Sequence, residues 1–236
     1  MQKKTLTFLA LAFFALVILP GATCQAKPEK ASYPSMAPLG QYLMADVNSE
    51  IALARSGAPA SISDAAEVMV LGAKGYTTAV KGTNGFLCIV ERSWGAATDD
   101  PGFWNPSIRG PICFNPQAAR TVVPIFLMKT TLVLSGASKA AIVQATASAL
   151  DQGKLPVLEA GAMCYMLSKQ QYLSDEGKSW HPHLMFFVPG HAAKSWGGNL
   201  PGSPIIAADD PEERFTILMV WVGTWSDGTP APAIAR

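Results

Sequence analysis

Ten residues in the second half of the chain, Trp180-His181-Pro182-His183-Leu184-Met185-Phe186-Phe187-Val188-Pro189, limit the architecture more than any other stretch. The run is short, bounded by prolines and rich in aromatic and branched side chains, so it reads as a strand. Side chains alternate along a strand, which places His181, His183, Met185 and Phe187 on one face and Leu184, Phe186 and Val188 on the other. After Leu184 both faces are apolar, and both are expected to be buried.

Other strand-like runs follow the same logic. Val68-Met69-Val70-Leu71, Tyr76-Thr77-Thr78-Ala79-Val80 and Phe86-Leu87-Cys88-Ile89-Val90 are separated by Gly72-Ala73-Lys74-Gly75 and Gly82-Thr83-Asn84-Gly85. These predict a three-stranded meander with Asn84-Gly85 as its clearest turn. Ala162 to Leu167 and the Trp180 run form a hairpin across the polar loop Ser168 to Ser179. Phe215 to Val222 supplies the last strand, after a Gly/Pro-rich connection from Gly190 to Pro211. Helical spacing appears at Leu39, Tyr42, Leu43, Val47, Ile51 and Leu53, ending before Gly57. Asn115-Pro116 opens a second helix running towards Leu134 with a kink at Pro124, and Ser138 caps a third that ends before Gly153. Helix, meander, two helices and three strands make an α+β domain: one antiparallel sheet of five to six strands with helices packed on it. That order is compatible with PAS, Cache and profilin-like architectures.

The N-terminus bears on where such a domain works. Lys3 and Lys4 precede an apolar run of about fourteen residues, Leu6 to Leu19, and then small residues up to Ala26. This is the pattern of a secretory signal peptide at residues 1–26, too short to span a bilayer as a helix. Lipid attachment at Cys24 is the alternative, although Thr23 stands where a lipobox carries Gly or Ala. Residues 27–38 read as a linker, 39–228 as one domain and 229–236 as a loose tail, with no transmembrane segment after the leader. Removing the leader deletes two of the 18 basic residues and none of the 17 acidic ones, leaving a net charge near −1. No basic cluster interleaved with aromatics marks a nucleic-acid binder. Three cysteines remain: Cys88 with Cys113 is the favoured bridge and Cys164 the free thiol, the alternative being three small buried hydrophobes.

Candidate chemistry is sparse. His181 and His183 on one strand face could present two imidazoles to zinc or copper, with Cys164, Met166 or the more distant His191 as a third ligand. If Met166 opposes His183, Cys164 opposes Met185. The alternative is two hydrogen-bonded histidines at a strand start. Neither Cys164 nor Cys113 sits in a nucleophile motif, and no serine elbow is present. Aromatic loops around Trp104 and Trp196 suggest stacking sites for a small organic ligand, while Trp94 and Trp221 read as packing residues. Glu91-Arg92 reads as a solvated pair and Asp209-Asp210 as a turn.

Gly82-Thr83-Asn84-Gly85-Phe86-Leu87-Cys88, Phe103-Trp104-Asn105-Pro106, Gly161-Ala162-Met163-Cys164-Tyr165-Met166 and Trp180 to Phe187 look like segments of an uncharacterised group of exported bacterial proteins. The resemblance covers most of the mature chain. It implies export from a bacterial cytoplasm and no activity, so no functional residue carries over. The expectation is an exported domain that binds a small ligand or a partner through His181, His183, Trp104 and Trp196, with no assigned catalytic residue. A metal-binding protein or metal-dependent enzyme centred on His181 and His183, and a structural envelope protein, are the competing classes.

Overall fold

A computed structural model describes residues 33–233. The expected leader at residues 1–26, with Lys3, Lys4 and Cys24, lies outside the described residues, as do residues 27–32 of the expected linker.

Among the described residues eight strands form one sheet: β1 (Glu67–Gly72), β2 (Gly75–Val80), β3 (Leu87–Glu91), β4 (Gly110–Phe114), β5 (Met163–Met166), β6 (His183–Pro189), β7 (Ile205–Asp210) and β8 (Phe215–Trp221). Their order is β2-β1-β3-β4-β5-β6-β8-β7. Five α-helices accompany them among the described residues: α1 (Val47–Arg55), α2 (Ala60–Ser63), α3 (Pro116–Thr121), α4 (Val123–Leu134) and α5 (Lys139–Asp151). The class is α+β, but the sheet is neither five to six strands wide nor purely antiparallel. This corrects the element order behind the PAS, Cache and profilin-like comparison.

The expected meander fails at its second turn. β3 does not fold back on β2; it pairs with β1, in parallel, on the opposite side. The cause is local. Gly82 crosses the start of β1 so closely that an added Cβ would stand 2.1 Å from the Glu67 nitrogen. Thr83 N–H then donates to the Ala65 carbonyl and Glu67 N–H to the Phe86 carbonyl. Asn84 spans the crossing instead of making a hairpin: its Nδ2 donates to the Ile62 carbonyl at 2.8 Å and its Oδ1 accepts from Phe86 N–H at 3.0 Å.

β7 is the other unexpected strand, arising inside what reads as a Gly/Pro-rich connection. Asn199, at φ 60°, lines its outer edge. The side-chain amide donates to the Ala207 carbonyl at 2.8 Å and accepts from Ala207 N–H at 3.0 Å, while Asn199 N–H reaches the Ile205 carbonyl.

Helix boundaries follow their caps. α1 begins at Val47 because the Asp46 carboxylate accepts from Ser49 N–H at 2.8 Å; Leu39–Gln41 is only a 3-10 turn. The expected kinked helix is two helices, α3 opened by Asn115 and Pro116 and α4 carrying Pro124 in its first turn, where a missing N–H costs nothing. α4, sequence VPIFLMKTTLVL, is apolar on nearly all sides, the pattern of a helix enclosed by other elements. The sheet curls around it. From one edge, the Tyr76 ring of β2 lies 5.4 Å from Phe126, and from the other, Glu213 in the β7–β8 turn reaches Lys129 at 2.6 Å.

One sheet face, with Ile89, Ile112, Phe114, Cys164, Met166 and Phe187, packs on α3–α5. The opposite face, with Val68, Cys88, Val90 and Cys113, packs on Leu53 and Ala54 of α1. Cys88 and Cys113 are direct neighbours across β3 and β4 and are joined by a disulfide. Cys164 is free and buried. The unit from Ser32 onward holds this whole core and the disulfide.

Candidate binding groove

The two histidines of the central run sit at one end of the sheet. β5 and β6 pair so that Met166 opposes His183 and Cys164 opposes Met185. His183 is buried, and its Nδ1–H donates to the His181 carbonyl at 2.8 Å. Burial holds its pKa below the usual histidine value, opposed by that hydrogen bond. Trp180 closes over it edge-on at 4.7 Å, and the His181 ring lies 5.2 Å from Trp221. Cys164 is one register step away, and burial pushes its thiol well up. Among the described residues no group of three or more His, Cys, Asp or Glu side chains is placed to hold a metal ion. The structure does not bring His181, His183 and Cys164 into such a group; the His183 ring packs on Trp180 and the His181 ring on Trp221.

Trp104 and Trp196 part company as well. Trp196 is 53 % exposed on the loop before β7. Trp104 is held in place: its carbonyl accepts from the Tyr42 hydroxyl at 2.8 Å, and its ring meets Phe103 edge-on at 4.6 Å. It lines an open groove of about 310 Å³ with Pro34, Met36, Val133, Ala137 and Lys139. Local sequence builds the opposite wall. Gly136, at φ 81°, ends α4: its N–H bonds the Val133 carbonyl and that of Ala137 bonds the Leu132 carbonyl. Ser138 then restarts the helix, its Oγ accepting from Ala141 N–H at 3.2 Å. Lys139 Nζ lies 4.9 Å above the Phe103 ring, so a cation borders the apolar floor. Of the four ligand candidates, the groove takes only Trp104. The start of the described chain, Pro34 to Met36, forms its near wall.

The buried charges were not legible as such. Arg92, far from being half of a solvated pair with Glu91, is buried and donates to the Tyr42 carbonyl at 2.6 Å, to the Val90 carbonyl and to Glu50 at 2.9 Å. Glu50 also accepts from Leu71 N–H at 3.1 Å, so the pair is fully satisfied and ties α1 to β1 and β3. Glu91 lies two residues on from Ile89, shares its face and points to the α4 side, crowding Gly95. Burial pushes its pKa up to about 7, with Lys129 pulling it down and Glu213 adding to the rise. Lys129 also donates to the Ala96 carbonyl at 3.0 Å, and burial raises Glu213 and Asp210 above the usual carboxylate range. The one signal in the sequence was Lys129 itself, a lone cation in an apolar helix.

No family model, curated protein or solved structure matches the chain. No helix among the described residues is long and apolar enough to cross a membrane, and the Cys88–Cys113 disulfide is compatible with an extracytoplasmic location.

Proposed function

We propose that this chain is an exported binding domain that seats the apolar part of a small organic ligand against Trp104. The observation that supports the reading is the open groove of about 310 Å³, floored by an aromatic ring and bordered by one cation. Concave apolar sites with few polar groups are the usual form of small-ligand sites. The fixed position of Trp104 adds to it, since a preorganised wall loses little entropy on binding. The disulfide and the leader-like N-terminus support a working place outside the cytoplasm, periplasmic or secreted, and the resemblance to exported bacterial proteins agrees with it.

Anilinonaphthalene sulfonate is a suitable probe, having an apolar body and one anionic group. Saturable enhancement of its fluorescence by the folded protein is expected, and Ala137→Trp, which fills the groove, should abolish it while leaving the far-UV circular dichroism and the cooperative urea transition in place. Equal enhancement by wild type and variant would remove the groove as the site.

A further inference from the structure

Five large apolar side chains are open to solvent among the described residues: Val47, Val157, Phe186, Trp196 and Leu200. Phe186 and the loop that carries Trp196 and Leu200 lie on the same face of the sheet. Phe186 alternates with Phe187, which packs into the α3–α5 core, so Phe186 faces the other way and is 37 % exposed. In its row across the sheet Phe186 opposes Leu218, and Leu218 opposes Ala207. The loop between β6 and β7 folds over that same face. Gly198 rides on Ala207, where an added Cβ would lie 2.4 Å from the Ala207 Cβ. Ala192 N–H donates to Thr216 Oγ1 at 2.7 Å and Ala193 N–H to Asp209 Oδ1 at 3.3 Å.

Trp196 and Leu200 are carried on this tied-down frame at 53 % and 56 % exposure. The Leu200 side chain folds back over Gly197, the residue that follows Trp196. Charge singles out the same segment. From His191 to Ala208 the chain has no Asp or Glu and carries Lys194, which is exposed.

An exposed indole and an exposed leucine on one loop, with Lys194 in the same segment and the carboxylate that meets the loop, Asp209, taken up by Ala193 N–H and the Thr216 hydroxyl, match the chemistry of a bilayer surface. Indole favours the headgroup level, the aliphatic side chain reaches the acyl boundary, and the cation meets lipid phosphate. A protein partner fits less well, because a tip of three side chains falls short of the roughly 800 Å² per partner that a stable protein interface buries. We propose that the loop between β6 and β7 is a membrane-surface contact, inserting Trp196 and Leu200 among the headgroups of an anionic bilayer with Lys194 on the phosphates. This contact is separate from the Trp104 groove and does not depend on it.

The test uses the chain from Ser32 onward, which contains the whole core and lacks the apolar leader run that would itself enter lipid. Co-sedimentation is measured with vesicles of phosphatidylcholine alone and with about 30 mol% phosphatidylglycerol. Binding to the anionic vesicles at millimolar lipid is expected, with a blue shift of tryptophan emission. Lys194→Gln should weaken it about fivefold, and the double exchange Trp196→Ser with Leu200→Ser about tenfold or more. Both variants change exposed side chains, so their unfolding transitions should match wild type. No sedimentation with anionic vesicles, or equal sedimentation of the double variant, overturns the proposal. A particle size that drops in the double variant without lipid also overturns it, in favour of contact between copies.

Discussion

Glu91 offers a direct check on the charged interior around α4. Its carboxyl is raised from an ordinary 4.5 to about 7, chiefly by burial, with Lys129 opposing the rise and Glu213 adding to it. For an acid raised in this way, the folded chain keeps a proton that the unfolded chain releases between those two values. Stability is then full at low pH and falls as pH rises through that window, by up to about 1.4 kcal/mol per pH unit. The full shift corresponds to about 3 kcal/mol; the largely buried residue keeps some contact with solvent, so about 2 kcal/mol is the expected loss. Glu91→Gln keeps the shape and removes the charge, so it should match wild type at about pH 4.5 and exceed it by about 2 kcal/mol at about pH 8. Urea unfolding of both proteins at the two pH values, at one ionic strength, gives the difference. The comparison cancels the titration of Asp210, and that of Glu213 apart from its coupling to Glu91. A difference that stays constant with pH would refute the reasoning. So would a variant weaker than wild type at high pH, because ionised Glu91 would then be a net favourable partner of Lys129.

Two further substitutions test the fold. Gly82→Ala places a Cβ 2.1 Å from the Glu67 nitrogen and should cost about 3 kcal/mol. Gly40→Ala, with nothing within 4 Å, is the matched control and should leave the urea midpoint within error. Lys129→Met leaves Glu213 without its cation and should cost about 3–5 kcal/mol. Adding Glu213→Leu in the same chain should recover most of that loss, and a double-mutant cycle that shows simple additivity would mean the pair is not coupled.

Local chemistry carried the sequence reading where it succeeded. The caps at Asn115 and Ser138, the break near Pro124, the β5–β6 hairpin, the β8 strand and the Cys88–Cys113 bridge all depend on residues close in sequence or on unambiguous apolar runs. It failed where distant chain segments decide. Asn84-Gly85 has the chemistry of a hairpin turn, but the contact of Gly82 with Glu67 directs the chain across β1, and no turn propensity encodes that contact. β7 was missed because Ala207-Ala208-Asp209-Asp210 lacks β-branched residues, and its pairing rests on β8 and Asn199. Glu91-Arg92 was misjudged for a related reason. The partners of Arg92 include Tyr42 and Glu50, some fifty and forty positions away, and burial is a property of that assembly. Trp104 and Trp196 look alike in sequence, and only the fold separates a groove wall from an exposed tip.

Asn199 has a consequence for solubility. An open sheet of this width presents two rows of unpaired peptide groups, each a template for another chain. By copying the donor and acceptor of a neighbouring strand, the Asn199 amide occupies the β7 row at Ala207 with a side chain that cannot be extended further. The β2 row stays open but is short and lies between Lys74 and Lys81. Antiparallel stacking of two copies there would bring those lysines together across the new seam, a like-charge juxtaposition that disfavours it. One rim is plugged and the other is guarded by charge, so the sheet resists end-to-end polymerisation.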